Sequence, residues 1–203
     1  VVEIARPRSR RDEYAQQTRR DVVSAARRLF AAQGYAATTV DTIAAEAGVS
    51  PATVYAQCGG KEGLLSSLMD LWTAGSLVQE IIEKCAAVED ARAKLDVLAQ
   101  GYIDIYRESG DIINIVIAAA SSTASAREFL ETANSRHLDA LSLILAPLES
   151  QGALRAGLEL IDAARIVYFH FHHGQFVLAS DGFGWGVDTA TAWLTDRVAA
   201  AIL

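Results

Sequence analysis

Residues 39–57, Thr-Val-Asp-Thr-Ile-Ala-Ala-Glu-Ala-Gly-Val-Ser-Pro-Ala-Thr-Val-Tyr-Ala-Gln, constrain the fold more than any other stretch of the chain. They spell two short helices joined by a tight turn. Thr39 can cap the first by accepting a backbone N–H bond, and Ile43, Ala44 and Ala47 supply its apolar face. Gly48 falls where the chain must leave that helix, a place that favours positive φ, and Val49 is expected as a buried plug in the turn. Ser50-Pro51 restarts the helix with a capping hydroxyl and a proline at the first helical position. Val54 is expected to face inward, leaving Ala52, Thr53, Tyr55, Ala56 and Gln57 outside or flanking the seam. The pattern is a helix-turn-helix whose second helix exposes small, polar and aromatic groups suited to a DNA groove. Two helices around a glycine turn also occur in ordinary bundles, so the flanking charge has to decide.

The formal charge of −7 argues against a nucleic-acid partner until it is divided along the chain. Residues 1–61 carry nine Lys and Arg against six acids, a net of +3, so the remainder is −10. Local charge governs attraction to phosphate more than the sum does, and an acidic remainder helps present only one end to DNA. Arg6, Arg8, Arg10 and Arg11 concentrate this charge in a stretch without periodicity, expected as a flexible arm over residues 1–15.

Behind the arm, Val22, Val23, Ala26, Leu29 and Phe30 give helical spacing over 16–33, closed by Gly34. After Gly59-Gly60 a helix is predicted from Lys61 toward Cys85, then others over 90–108, 112–119 and 125–150. Asp162 to Ser180 is strongly apolar and aromatic, a glycine-rich loop follows at 181–186, and a last helix runs from Val187. Strand alternation is absent. The expected fold is all-α, with an arm and helix-turn-helix head over 1–61 and a larger helical body over 62–203. A hydrophobic content of 51% is ample for its core. No segment approaches the ~20 uninterrupted apolar residues of a membrane span. The charged N-terminus has no apolar signal region, and Cys58 and Cys85 have neither disulfide-framework nor metal-ligand spacing. These features point to the cytoplasm, with no membrane partner and no cofactor.

The run from Arg28 to Tyr55, Arg-Leu-Phe-Ala-Ala-Gln-Gly-Tyr-Ala-Ala-Thr-Thr-Val-Asp-Thr-Ile-Ala-Ala-Glu-Ala-Gly-Val-Ser-Pro-Ala-Thr-Val-Tyr, with Gly60-Lys-Glu-Gly-Leu-Leu65 after it, resembles the tetracycline-repressor (TetR) family of transcriptional regulators. The resemblance implies a homodimer on a palindromic operator in double-stranded DNA. It also implies a body that binds a small-molecule effector and thereby weakens DNA binding. Tyr55 and Lys61 resemble the family's phosphate contacts, and Thr39 sits at a helix N-terminus that can hold a phosphate. Val40, Ser50, Pro51, Ala52, Thr53 and Gln57 occupy positions that can approach bases. Gln57 could pair with adenine, and Ala52 or the Thr53 methyl could meet a thymine methyl. Family members usually carry aromatic rings just after the tyrosine, where this chain has Ala56-Gln57-Cys58-Gly59-Gly60. Loss of those rings implies a looser end to the recognition helix.

In the body, Trp72, Tyr102, Tyr106, Ile113, Ile117, Phe129, His137, Phe169 and Phe176 are the candidate effector contacts. Aromatic and aliphatic residues at helical spacing are core more often than ligand contacts. An apolar, aromatic-rich body points to a hydrophobic or aromatic effector. His170, His172 and His173 form a dense cluster, and on one continuous helix His170 and His173 would share a face. A third ligand is not evident nearby, so packing and hydrogen bonding are expected there rather than a metal. Neither Ser66-Ser67 nor Ser121-Ser122 has a nucleophile elbow, and no acid–base constellation argues for an enzyme. Two functions remain: an effector-controlled DNA-binding regulator, most often a repressor, or a helical small-molecule binder whose head has lost DNA recognition.

Overall fold

The structure, a computed structural model, describes residues 10–73 and 76–203, with the side chain of Arg11 excepted. Arg6 and Arg8 of the expected arm lie outside the described residues. Among those described, all regular structure is helical: α1 (Arg10–Gln33), α2 (Val40–Glu46), α3 (Pro51–Cys58), α4 (Gly60–Thr73), α5 (Leu77–Ala86), α6 (Ala91–Ala120), α7 (Ala124–Ser150), α8 (Leu160–Phe171), α9 (His173–Val177) and α10 (Val187–Ile202). A π-helical turn, Leu178–Gly182, follows α9.

The chain divides into two compact units. One holds the head through α4 together with Asn114–Arg127; the other runs from α5 to Ile113 and from Glu128 to Leu203. The sequence alone suggests a boundary at 61/62, between α3 and the bulk of α4.

Local chemistry accounts for the head. The Thr39 hydroxyl accepts from the Thr42 backbone N–H, and the Thr42 side chain bonds the Thr39 backbone N–H in return, a closed capping box at the start of α2. Gly48 adopts φ 68° where α2 turns away. The Ser50 hydroxyl accepts from the Thr53 N–H, and Pro51 opens α3. Val22, Ala25, Ala26, Phe30, Ile43, Val54, Leu64, Leu65 and Leu68 fill the head's core. Val49, expected as a buried plug, is only half-buried; its N–H instead closes the turn on the Ala44 carbonyl.

The second unit packs α5, α6, α7, α8 and α10 around Leu95, Leu98, Tyr102, Leu141, Leu145, Leu148, Val167, Phe171, Leu194 and Val198. Burial on this scale, at ~1.5–3 kcal/mol per large apolar side chain, is what holds helices whose individual propensities are ordinary.

Four sequence expectations change. Helix α1 begins at Arg10, inside the supposed arm. The predicted run from Lys61 to Cys85 is two helices, α4 and α5. The stretches 90–108 and 112–119 are one helix, α6, which continues through the buried Ser109 and Gly110. Conversely, the apolar run 162–180 is broken: His172 takes ψ 140° and its ring accepts from the Gly174 N–H, ending α8 and starting α9.

Candidate functional site

The recognition helix α3 presents Pro51, Ala52 and Tyr55 to solvent, with Thr53 and Gln57 half-buried at its edges. Tyr55 is 60% exposed. Beside α3, Thr39 is exposed and Val40 half-buried at the N-terminus of α2, while Ser50 is exposed at the N-terminus of α3. The N-termini of α2 and α3 thus both lie at this surface, an arrangement that favours phosphate. The Thr39 and Ser50 hydroxyls are already committed to their caps, so they shape this surface more than they supply free donors.

Lys61 is half-buried at the start of α4. Its Nζ donates to the Ala36 carbonyl at 3.2 Å and lies 4.4 Å from the centre of the Tyr35 ring. Desolvation lowers its pKa, but two of its three ammonium protons remain available beyond the Ala36 bond.

The end of α3 is held tightly, contrary to the expectation that absent rings would loosen it. Gly59 closes the helix in the left-handed region, donating to the Tyr55 carbonyl. A Cβ at Gly60 would sit 2.7 Å from Tyr55 Cε1, and one at Gly63 would sit 1.7 Å from the Cys58 carbonyl oxygen. Two bare backbones therefore replace the rings, letting α4 close directly on α3. From α1, Arg19 bonds the Gln57 carbonyl at 3.4 Å and the Ser67 hydroxyl at 3.2 Å. Cys58, buried between these elements, has its thiol pushed up in pKa by desolvation, with Arg19 pulling slightly the other way. That favours a packing role over a reactive thiolate. Arg19 and the glycines at 60 and 63 are the anchoring residues that sequence reasoning missed; the Gly-Gly-x-x-Gly spacing was their signal.

In the body, the nine candidate contacts do not converge. Tyr102, Tyr106, His137 and Phe176 meet within a continuous ring cluster that also holds Tyr168, Phe171, His172 and His173. Several of its polar atoms find partners: the Tyr102 hydroxyl and His137 Nε2 share a hydrogen bond, and Tyr106 donates to the Phe171 carbonyl. Tyr168 donates to Asn134 at 2.7 Å. Burial drives the His137 pKa down to about 4, helped by His172, and raises that of Tyr102 far above the usual phenol range. Desolvation also lowers His172 and His173, so the cluster is neutral at pH 7. The shared histidine face does not form, because the break at His172 puts His170 and His173 on different helices. His170 instead bonds the Ile166 carbonyl.

The remaining candidates lie elsewhere: Ile113 is buried in α6, Phe129 half-buried in α7, and Phe169 63% exposed on α8. Trp72 and Ile117 belong to the unit that contains the head. A cleft of about 170 Å³ opens in the body beside the ring cluster, lined by Ile103, Tyr106, Arg107, Phe176, Ser180, Val187 and Ala190. Only Tyr106 and Phe176 among the sequence candidates reach it. Arg107 and Ser180 were missed because they fall outside the apolar pattern used to choose candidates.

A compact helix-turn-helix head on an all-helical body defines a DNA-binding transcriptional regulator. Residues 22–68, which hold the helix-turn-helix, match the family model for bacterial regulatory proteins of the tetR family. No curated protein sequence matches the chain. Similar solved structures include NalD, the secondary repressor of the MexAB-OprM multidrug efflux pump in Pseudomonas aeruginosa. It has a TM-score of 0.75 at 20% identity, over 94% of this chain and 98% of that one. The regulator FadR from Bacillus subtilis in complex with stearoyl-CoA has a TM-score of 0.72 at 18% identity, over 91% of this chain and 99% of that one. A SmeT–triclosan complex has a TM-score of 0.71 at 21% identity, over 93% and 92%. At these identities the likeness shows a shared fold across head and body.

Proposed function

We propose that the protein is a homodimeric, cytoplasmic repressor that binds a palindromic operator and is released from it by a small hydrophobic or aromatic effector. The observation that carries the reading is the exposed face of α3, held against α1 and α4 by Arg19, Gly60 and Gly63 and flanked by Lys61. On this reading Ser50, Pro51, Ala52, Thr53 and Gln57, with Val40, approach the bases, while Thr39, Tyr55 and Lys61 hold phosphates. The body is the effector and dimerisation domain. Apolar groups left in solvent on the second unit support a second copy as partner: Phe169, Phe183 (61% exposed) and Trp193 (48% exposed). Proteins of the same fold support the effector, since one was captured with stearoyl-CoA and another with triclosan.

Selection from a pool of random duplexes tests this. The recovered sequences should share an inverted repeat, and Tyr55→Ala and Lys61→Ala should each weaken binding to it about tenfold or more. A pool that never enriches, or binding indifferent to both substitutions, would favour a helical small-molecule binder with a silent head.

A further inference from the structure

We infer that the cleft beside Arg107 takes a small apolar monocarboxylate, with the Arg107 guanidinium as its anion contact. This rests on the proposed effector role of the body and narrows the effector's chemistry. The walls are carbon: Ile103 and Tyr106 from α6, Phe176 from α9, and Val187 and Ala190 from the start of α10. Tyr106 offers its ring, since its hydroxyl is committed to the Phe171 carbonyl. Ser180 adds little polarity of its own, because its hydroxyl donates to Asp181 at 2.8 Å.

Arg107 is the single charged side chain among the lining residues. Its ion pair with Asp104 spans 3.6 Å, with the Arg107 side chain 65% exposed and that of Asp104 half-buried. A pair that long is beyond good hydrogen-bond range, and exposed pairs contribute little, so most of the five guanidinium N–H donors are open to a ligand. A carboxylate can take two of them at once. An alcohol leaves the fork unfilled, and an amine is repelled by it.

Size narrows the class further. About 170 Å³ is roughly half the smallest drug-sized pocket, room for about ten non-hydrogen atoms. A medium-chain or single-ring acid fits that volume. The π-helical turn Leu178–Gly182 carries Ser180 of the lining, and such turns concentrate at functional sites.

The test is calorimetric titration of the full chain, without DNA, using octanoate, 1-octanol and octylammonium as probes of one length. Octanoate should bind about tenfold more tightly than octanol, with octylammonium weakest. Arg107→Met should erase the octanoate advantage while leaving octanol unchanged, a result that a misfolded variant would not give. Val187→Trp, at the exposed rim, should block all three probes. Equal affinity for octanoate and octanol, or an octanoate affinity untouched by Arg107→Met, would overturn the inference. Because DNA is absent, such a failure leaves the operator reading standing. Failure to select any duplex would overturn that reading without bearing on the probes.

Discussion

At the scale of single residues, the missing Cβ of Gly63 decides how the head closes. A methyl there would overlap the Cys58 carbonyl, which is backbone and cannot rotate aside. Gly63→Ala should therefore destabilise the protein by about 3 kcal/mol or force α4 off α3, visible as a lowered urea midpoint together with weakened DNA binding. His137 carries a second prediction. Its folded pKa, about 4, lies below the unfolded value near 6.5, so the unfolded chain binds more protons between those limits. The stability it contributes is complete above pH 6.5 and declines as pH falls toward 4. From pH 7 to 5 the loss from this group should be about 2 kcal/mol, and His137→Gln should flatten that part of the pH profile. Lys94 is a buried cation, 3% exposed, whose Nζ donates to the Cys85 carbonyl in the last turn of α5. Removing it takes the charged donor from that carbonyl and leaves the Val88 N–H at 3.3 Å, and Lys94→Met should cost about 1.5 kcal/mol in chemical denaturation.

At the scale of elements, helix ends in the head were legible and helix breaks in the body were not. Thr39, Gly48, Ser50 and Pro51 each act through local backbone chemistry, and local chemistry is what a sequence displays. Gly110 falls between the two helices expected over 90–108 and 112–119 but is buried inside α6, where packing overrides a propensity cost of about 1 kcal/mol. His172 showed no breaking signal, yet its ring caps the Gly174 N–H and redirects the chain. Tyr102, Tyr106, His137 and Phe176 met in one ring cluster while Phe169 stayed in solvent, since composition cannot say which rings face a cavity. Arg19 joins α1 to the end of α3 through a carbonyl 38 residues away, a link no local pattern displays. Arg19→Met should fray that end, raising amide exchange at Gln57 and Cys58 and weakening operator binding several-fold, with the rest of the head intact.

At the scale of the whole molecule, charge is segregated between a basic segment, +3 over residues 1–61, and a remainder of −10. That division was plain in the sequence, whereas the body's cleft and its cation emerged only from three-dimensional placement. Trp193→Glu puts a charge where a second copy is expected to bury an indole. It should shift the protein toward monomer in sedimentation at micromolar concentration and lower operator affinity in parallel. The central claim is that a positive head grips duplex phosphate while α3 reads bases. It is tested most directly by titrating a selected inverted-repeat duplex across a range of salt concentrations, for the wild type and Lys61→Ala. The account predicts affinity that falls steeply and linearly in log–log form. In the variant the slope should be shallower by about 2, because each of the two heads then neutralises one phosphate fewer. Binding that ignores salt, or a slope unchanged by Lys61→Ala, would contradict it.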